Sequence, residues 1–137
     1  MVVVYDIETL RSCFTYTALD IKTNEKYQFV LHKDRNDWCE FINHLNQCVG
    51  QIGFNNINFD YPIIHYILKN AYRWSSLFNV ETIIKLIYQE AQRIIDSQNS
   101  DNFNEIVAIK QKEVIIPQLD LFKLWHYNNK ARRRIAA

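Results

Sequence analysis

Val2, Val3, Val4 and Tyr5 form a short β-branched run, the pattern of a strand buried on both faces, and predict a central strand. From Phe14 to Ile21 and again from Tyr27 to Leu31 apolar and polar residues alternate, with Lys22, Thr23, Asn24 and Glu25 between them. That pattern predicts an antiparallel meander. Asp34 or Asn36 can cap a helix whose apolar positions Trp38, Phe41, Ile42, Leu45 and Val49 follow the i, i+3, i+4 spacing. Gly50 to Phe54 reads as another strand. Asp60 to Lys69 carries Tyr61, Ile64, Ile67 and Leu68, and Pro62 falls in the first turn, so a helix is expected there. The strongest helical pattern comes next, with Asn79 as cap and Val80, Ile83, Ile84, Ile87, Ala91, Ile94 and Ile95 tracing one stripe. Ser97 to Asn104 is a polar loop, after which Ile106 to Ile109 and Val114 to Ile116 look like the arms of a second hairpin ended by Pro117. The order predicts an α/β fold, a mixed sheet with helices packed on it.

The chain has 137 residues, 48% of them apolar, enough for one core without staples, so residues 1–137 are read as a single domain. With Gly50 and Gly53 as its 2 glycines, neither a dinucleotide fingerprint nor a Walker loop can be written. Its 3 cysteines, Cys13, Cys39 and Cys48, form no CxxC pair and leave one unpaired under any bridging, which points to a reducing, cytoplasmic setting. Every apolar run stops well short of ~20 residues, so no membrane partner is expected. Net charge is +1, but unevenly spread. Five of the 16 basic residues follow Asp120 with no acid among them, leaving 11 against 15 acidic residues upstream. The body is mildly acidic and the tail, 128–137, basic.

The informative chemistry is acidic. Asp6-Ile7-Glu8-Thr9 stands where the first strand is expected to run out. Alternation puts Asp6 and Glu8 on one face, ~7 Å apart. Two like charges sharing a surface raise each other's pKa unless a cation sits between them. Mg²⁺ suits that role, because it prefers oxygen ligands and binds through one or two carboxylates plus substrate phosphate. A solvated pair at a strand end is the plainer alternative. Asn55-Asn56-Ile57-Asn58-Phe59-Asp60 follows the next predicted strand and opens the Pro62 helix. Asp60 there suits an N-cap as well as a ligand, and the asparagines suit a turn.

Asp6-Ile7-Glu8-Thr9 and Asn56-Ile57-Asn58-Phe59-Asp60 resemble the first and second motifs of the DEDD 3′→5′ exonucleases. The chain is most similar to the proofreading domains of family B DNA polymerases of the protein-primed phage and plasmid type. The likeness is strongest over residues 1 to about 70, with a weaker match from Val114 to Phe122. It implies a ribonuclease-H-like fold, incomplete at its C-terminus. By the same resemblance Asp6, Glu8 and Asp60 are the catalytic, metal-binding carboxylates, holding two Mg²⁺ or Mn²⁺ ions. Thr9, Asn56 and Phe59 hold the 3′-terminal nucleotides of single-stranded DNA, and Leu121 and Phe122 take the channel position after Asp120. Core packing is the alternative for those last two. The setting implied is a bacterial, phage or mobile-element protein acting in the host cytoplasm.

A complete site of this type adds a fourth carboxylate from a Tyr-x-x-x-Asp motif. Here that spacing occurs at Tyr16 to Asp20, inside the meander, and His126 has no acid after it. The third motif is therefore expected beyond Ala137, with the remainder of a polymerase or a second chain supplying its helix. A non-catalytic module that binds nucleic acid or protein is the alternative. Lys130 to Arg134 could grip phosphates or simply be solvated. Trp38, Phe41, Tyr66 and Phe78 fall on apolar stripes and are expected in the core, whereas no stripe explains Tyr72, Trp74, Trp125 or Tyr127.

Overall fold

A computed structural model describes residues 1–99 and 109–124. The first arm of the expected second hairpin except Ile109, most of the polar loop, Trp125, His126, Tyr127 and the basic tail lie outside the described residues. The chain forms an α/β fold built on a six-stranded mixed sheet. Strands β1 (Val2–Leu10), β2 (Cys13–Asp20), β3 (Lys26–His32) and the short β4 (Arg35–Asn36) make an antiparallel meander. Helix α1 (Trp38–Gln47) leads to β5 (Gly50–Gly53), α2 (Asp60–Leu77) and α3 (Val80–Gln98), and β6 (Gln118–Asp120) follows. The sheet order is β4-β3-β2-β1-β5-β6, with β5 parallel to β1 and β6 parallel to β5. This arrangement is consistent with the ribonuclease-H-like fold.

The first strand is longer than its apolar run. β2 pairs with β1 as far as Leu10 with Cys13, so Asp6 and Glu8 stand in mid-strand and not at its end. Alternation survives that correction: Val3, Tyr5 and Ile7 are buried while Val4, Asp6 and Glu8 are exposed on the other face. The described residues leave this second face open, and across it Leu19, Val4, Ile52 and Leu119 lie in register on four neighbouring strands.

The helices follow from their stripes. In α3 Ile83, Ile84, Ile87, Ala91 and Ile94 are buried, and the stripe ends there because Ile95 is exposed. Asn79 caps this helix, its side chain accepting from the Thr82 N–H at 2.9 Å. α2 continues eight residues past Lys69, since Ala71 and Trp74 extend the face of Ile63, Ile64 and Ile67. Trp74 is therefore core, and Tyr72 on the opposite side is 91% exposed. The Trp38 indole donates to Ser75 Oγ at 2.7 Å, tying α1 to α2. Each of the wholly buried Leu31, Ile67 and Ile87 contributes roughly 1.5–3 kcal/mol through loss of water contact.

Val114 to Ile116 is not a hairpin arm. A 3₁₀ turn spans Gln111–Glu113, and the β-branched run after it is held by one hydroxyl: Tyr61 Oη accepts from the N–H groups of Ile115 (2.8 Å) and Ile116 (3.4 Å). Pro117 precedes the strand instead of ending one, and its carbonyl accepts from the Gln51 N–H, where β5 meets the new strand.

Candidate carboxylate site

β1 outruns β5. The parallel register stops at Val4 with Ile52, so the edge of β1 from Asp6 onward is left unpaired on the β5 side. The segment after β5 fills that notch. Asn55 takes a left-handed backbone (φ 58°), and the chain turns so that Asp60 opens α2 beside Ile7. Phe59 occupies the N-cap position, so Asp60 is not the cap that its helix-start position suggested. Its carboxylate instead lies beside the Ile7 N–H, which favours the ionised form, and beside Asp6, which opposes it.

Asp60 is 7% exposed, and burial, the Asp6 charge and the charge of Asp120 together push its carboxyl up to about 7, against the lowering effect of the Ile7 N–H. Burial and the Asp60 charge likewise push the Tyr5 phenol upward. Asp60 is thus a carboxylate that is costly to ionise where it stands, and a cation would relieve that cost.

The loop's shape is set from a distance. Asp120, at the end of β6 and 3% exposed, accepts from the N–H groups of Asn55 (2.8 Å), Ile57 (3.1 Å) and Phe122 (3.0 Å). Asn56 is wholly buried, and its amide donates to Gln118 Oε1 at 2.8 Å while its own Oδ1 has no partner among the described residues. From Gln118 a buried polar chain runs inward: its amide donates to Gln51 (2.8 Å), Gln51 donates to Tyr16 Oη (3.1 Å), and Tyr16 meets His44 Nε2 at 2.9 Å. Burial lowers His44 to about 4, so this chain carries no charge near neutrality. Tyr5 Oη also donates to Gln118, at 2.8 Å.

Gly53 is required by this packing. A Cβ there would stand 2.8 Å from both Cβ and Cγ of Asn56, whose side chain is fixed. Gly53→Ala is expected to cost about 1–3 kcal/mol and to displace Asn56. Urea unfolding, together with the loss of the Asn56 amide resonances from their protected positions, checks it.

The expected site residues therefore separate into groups. Asp6 and Asp60 are together. Glu8 is exposed on the face of Asp6, two residues on, and does not join Asp6 and Asp60 in a group of three carboxylates. Thr9 and Phe59 are half-buried, and Asn56 is interior. Leu121 is 43% exposed, while Phe122 packs edge-on against Phe54 with ring centres 5.1 Å apart, forming an apolar lip past β6. Sequence reasoning passed over Gly53, Gln118 and the anchoring role of Asp120, because the turn that Asp120 holds lies 63 and 65 positions away and no local pattern marks the pairing. Asp6 and Asp60 suit one hard cation, since Mg²⁺ commonly takes one or two carboxylates with water and phosphate completing its shell. Among the described residues no group of three His, Cys, Asp or Glu side chains stands together to hold a metal ion. No described helix is long and apolar enough to cross a membrane. No family model, curated protein or solved structure matches the chain.

Proposed function

We propose that the chain is a divalent-metal-dependent 3′→5′ exonuclease domain of the proofreading type, acting on single-stranded DNA ends. The observation that carries this reading is Asp60 held against Asp6 in the notch where β1 outruns β5. In open α/β sheets ligands bind beyond the carboxyl ends of the strands, and this notch lies at that end of β5 and β6. Asp6 and Asp60 would hold Mg²⁺ or Mn²⁺, with Glu8 the further carboxylate on the same face of β1. A bound divalent ion supplies a hydroxide from water at neutral pH and stabilises the leaving 3′ oxygen. The chain's own residues set the frame. Asp120 fixes the loop that presents Asp60, Gly53 lets Asn56 pack beneath it, and the half-buried Thr9 and Phe59 with the lip of Phe54, Leu121 and Phe122 offer surfaces to a terminal sugar and base. The fourth carboxylate would come from beyond the described residues, from the remainder of a polymerase or from a second chain.

The test is trimming of an oligonucleotide labelled at its 5′ end. With Mn²⁺ present, products shortened one nucleotide at a time from the 3′ end are expected, and their absence at every Mn²⁺ and Mg²⁺ concentration, with any longer form of the chain as well, defeats the reading. The lack of a three-carboxylate group around Asp6 and Asp60 among the described residues favours one second reading, a non-catalytic nucleic-acid-binding module of the same fold. That reading requires oligonucleotide binding unaffected by EDTA and no trimming.

A further inference from the structure

Past the carboxylates, at the end of the sheet toward which β1 and β3 both run, lies a cleft of about 790 Å³ between the β1–β2 turn, the end of β3 and the first half of α3. It is a separate place. Arg11 stands five residues beyond Asp6, roughly 17 Å along an extended strand. Its volume lies in the range of sites that hold ligands of nucleotide size.

The charge of this cleft opposes that of the chain around it. Upstream of Asp120 acids outnumber bases, yet Arg11, Lys33 and Lys85 line the cleft against the one acid Glu81. All three cations are exposed, and none is paired with a carboxylate among the described residues. The remaining lining is of a different kind. Tyr88 presents a half-buried ring, Ile84 is buried, His32 lies 3.9 Å from the exposed Asp34 carboxylate, and Ser12, Asn79, Thr82 and Gln89 supply hydroxyl and amide groups. Unpaired cations suit phosphodiesters, a ring suits the face of a base, and short polar groups suit sugar and base edges. An acidic peptide would use the cations and leave the ring without a partner.

We infer that this cleft binds the backbone of a single nucleic-acid strand some nucleotides inward from its terminus, with Arg11, Lys33 and Lys85 on phosphates and Tyr88 under a base. The choice of nucleic acid rests on the nuclease reading of Asp6 and Asp60, but the binding does not require hydrolysis. Fluorescence anisotropy with a labelled 15-mer of thymidylate, in EDTA, tests it. The Arg11→Gln/Lys33→Gln/Lys85→Gln variant is expected to bind at least tenfold more weakly. Its log K against log salt should be shallower by about 2, since each lost phosphate contact on a single strand removes ~0.7 from that slope. Tyr88→Ala should lose a further severalfold with the slope unchanged. A control lacking the same charge elsewhere, Lys22→Gln/Lys69→Gln/Lys112→Gln, should retain the slope. Equal affinity and slope in the triple cleft variant overturn the inference, as does displacement of the strand by polyglutamate at the same charge concentration as by unlabelled thymidylate. Cleft-dependent binding without any Mn²⁺-dependent trimming would sustain this site while removing the nuclease reading.

Discussion

Asp60→Asn is expected to abolish metal-dependent trimming and, in the absence of metal, to make the folded chain more stable above neutral pH. The two effects have one origin. Asp60 ionises near pH 4 when the chain is unfolded and at about 7 in the fold, because burial and the Asp6 charge oppose its ionisation. The folded state therefore keeps a proton that the unfolded state has released. The stability this confers is complete below about pH 4 and disappears as pH rises through 7. Asparagine is never charged, so at pH 8 the variant should exceed the unmodified chain by up to about 4 kcal/mol, and the two should converge near pH 4. Mn²⁺ at pH 8 should raise the melting temperature of the unmodified chain, by binding the ionised pair, and leave Asp60→Asn unmoved. Loss of trimming should exceed the ten- to hundredfold typical of removing a group that merely orients a metal ligand. Melting curves from pH 4 to 8 with and without Mn²⁺ check this. Burial of His44 acts in the opposite sense and equally in both chains, so the difference between them is the measure: a gap that does not widen as pH rises would mean that Asp60 is not held as described.

Asp120→Ala should be the most damaging change away from the acid pair. It removes the buried acceptor of three backbone N–H groups, those of Asn55, Ile57 and Phe122, in a part-buried setting. Carboxylate-to-amide bonds are among the stronger hydrogen bonds, so a loss of roughly 3 kcal/mol is expected, read as a lower urea midpoint at unchanged slope. Trimming should fall with it, because the segment that presents Asp60 loses its hold. Asp120→Asn keeps one acceptor oxygen and should be milder on both counts. Equal damage from the two variants would show that charge, and not acceptor geometry, is what Asp120 provides.

Much of the architecture was legible because period and capping are local. The stripe from Ile83 to Ile94, the Asn79 cap and the meander from Phe14 to Leu31 all appear where alternation or helical spacing put them. The end of β1 was misjudged because polar residues on an open face look like the end of an apolar run, although their backbone still pairs with β2. Val114 to Ile116 was misread for the opposite reason: β-branched side chains favour extension but cannot say whether a strand or a tyrosine hydroxyl will satisfy the backbone. At the site, Asp6 and Asp60 could be named only through the likeness of their segments to two exonuclease motifs, since alone each suited a solvated strand residue or a helix cap. The burial that raises Asp60 and the bonds that fix its loop could not, since the first brings in Asp6 and Asp120 from far along the chain and the second span 63 and 65 positions.

That separation bears on the order in which the molecule becomes competent. The meander closes over short stretches of chain, whereas the Asn55–Asp60 turn acquires its acceptor across sequence separations of 63 and 65. Distant closures are the slow ones. A nascent chain still short of Asp120 would thus carry a formed hairpin with Asp6 on it and an unset loop around Asp60, and the acid pair would be assembled no earlier than β6.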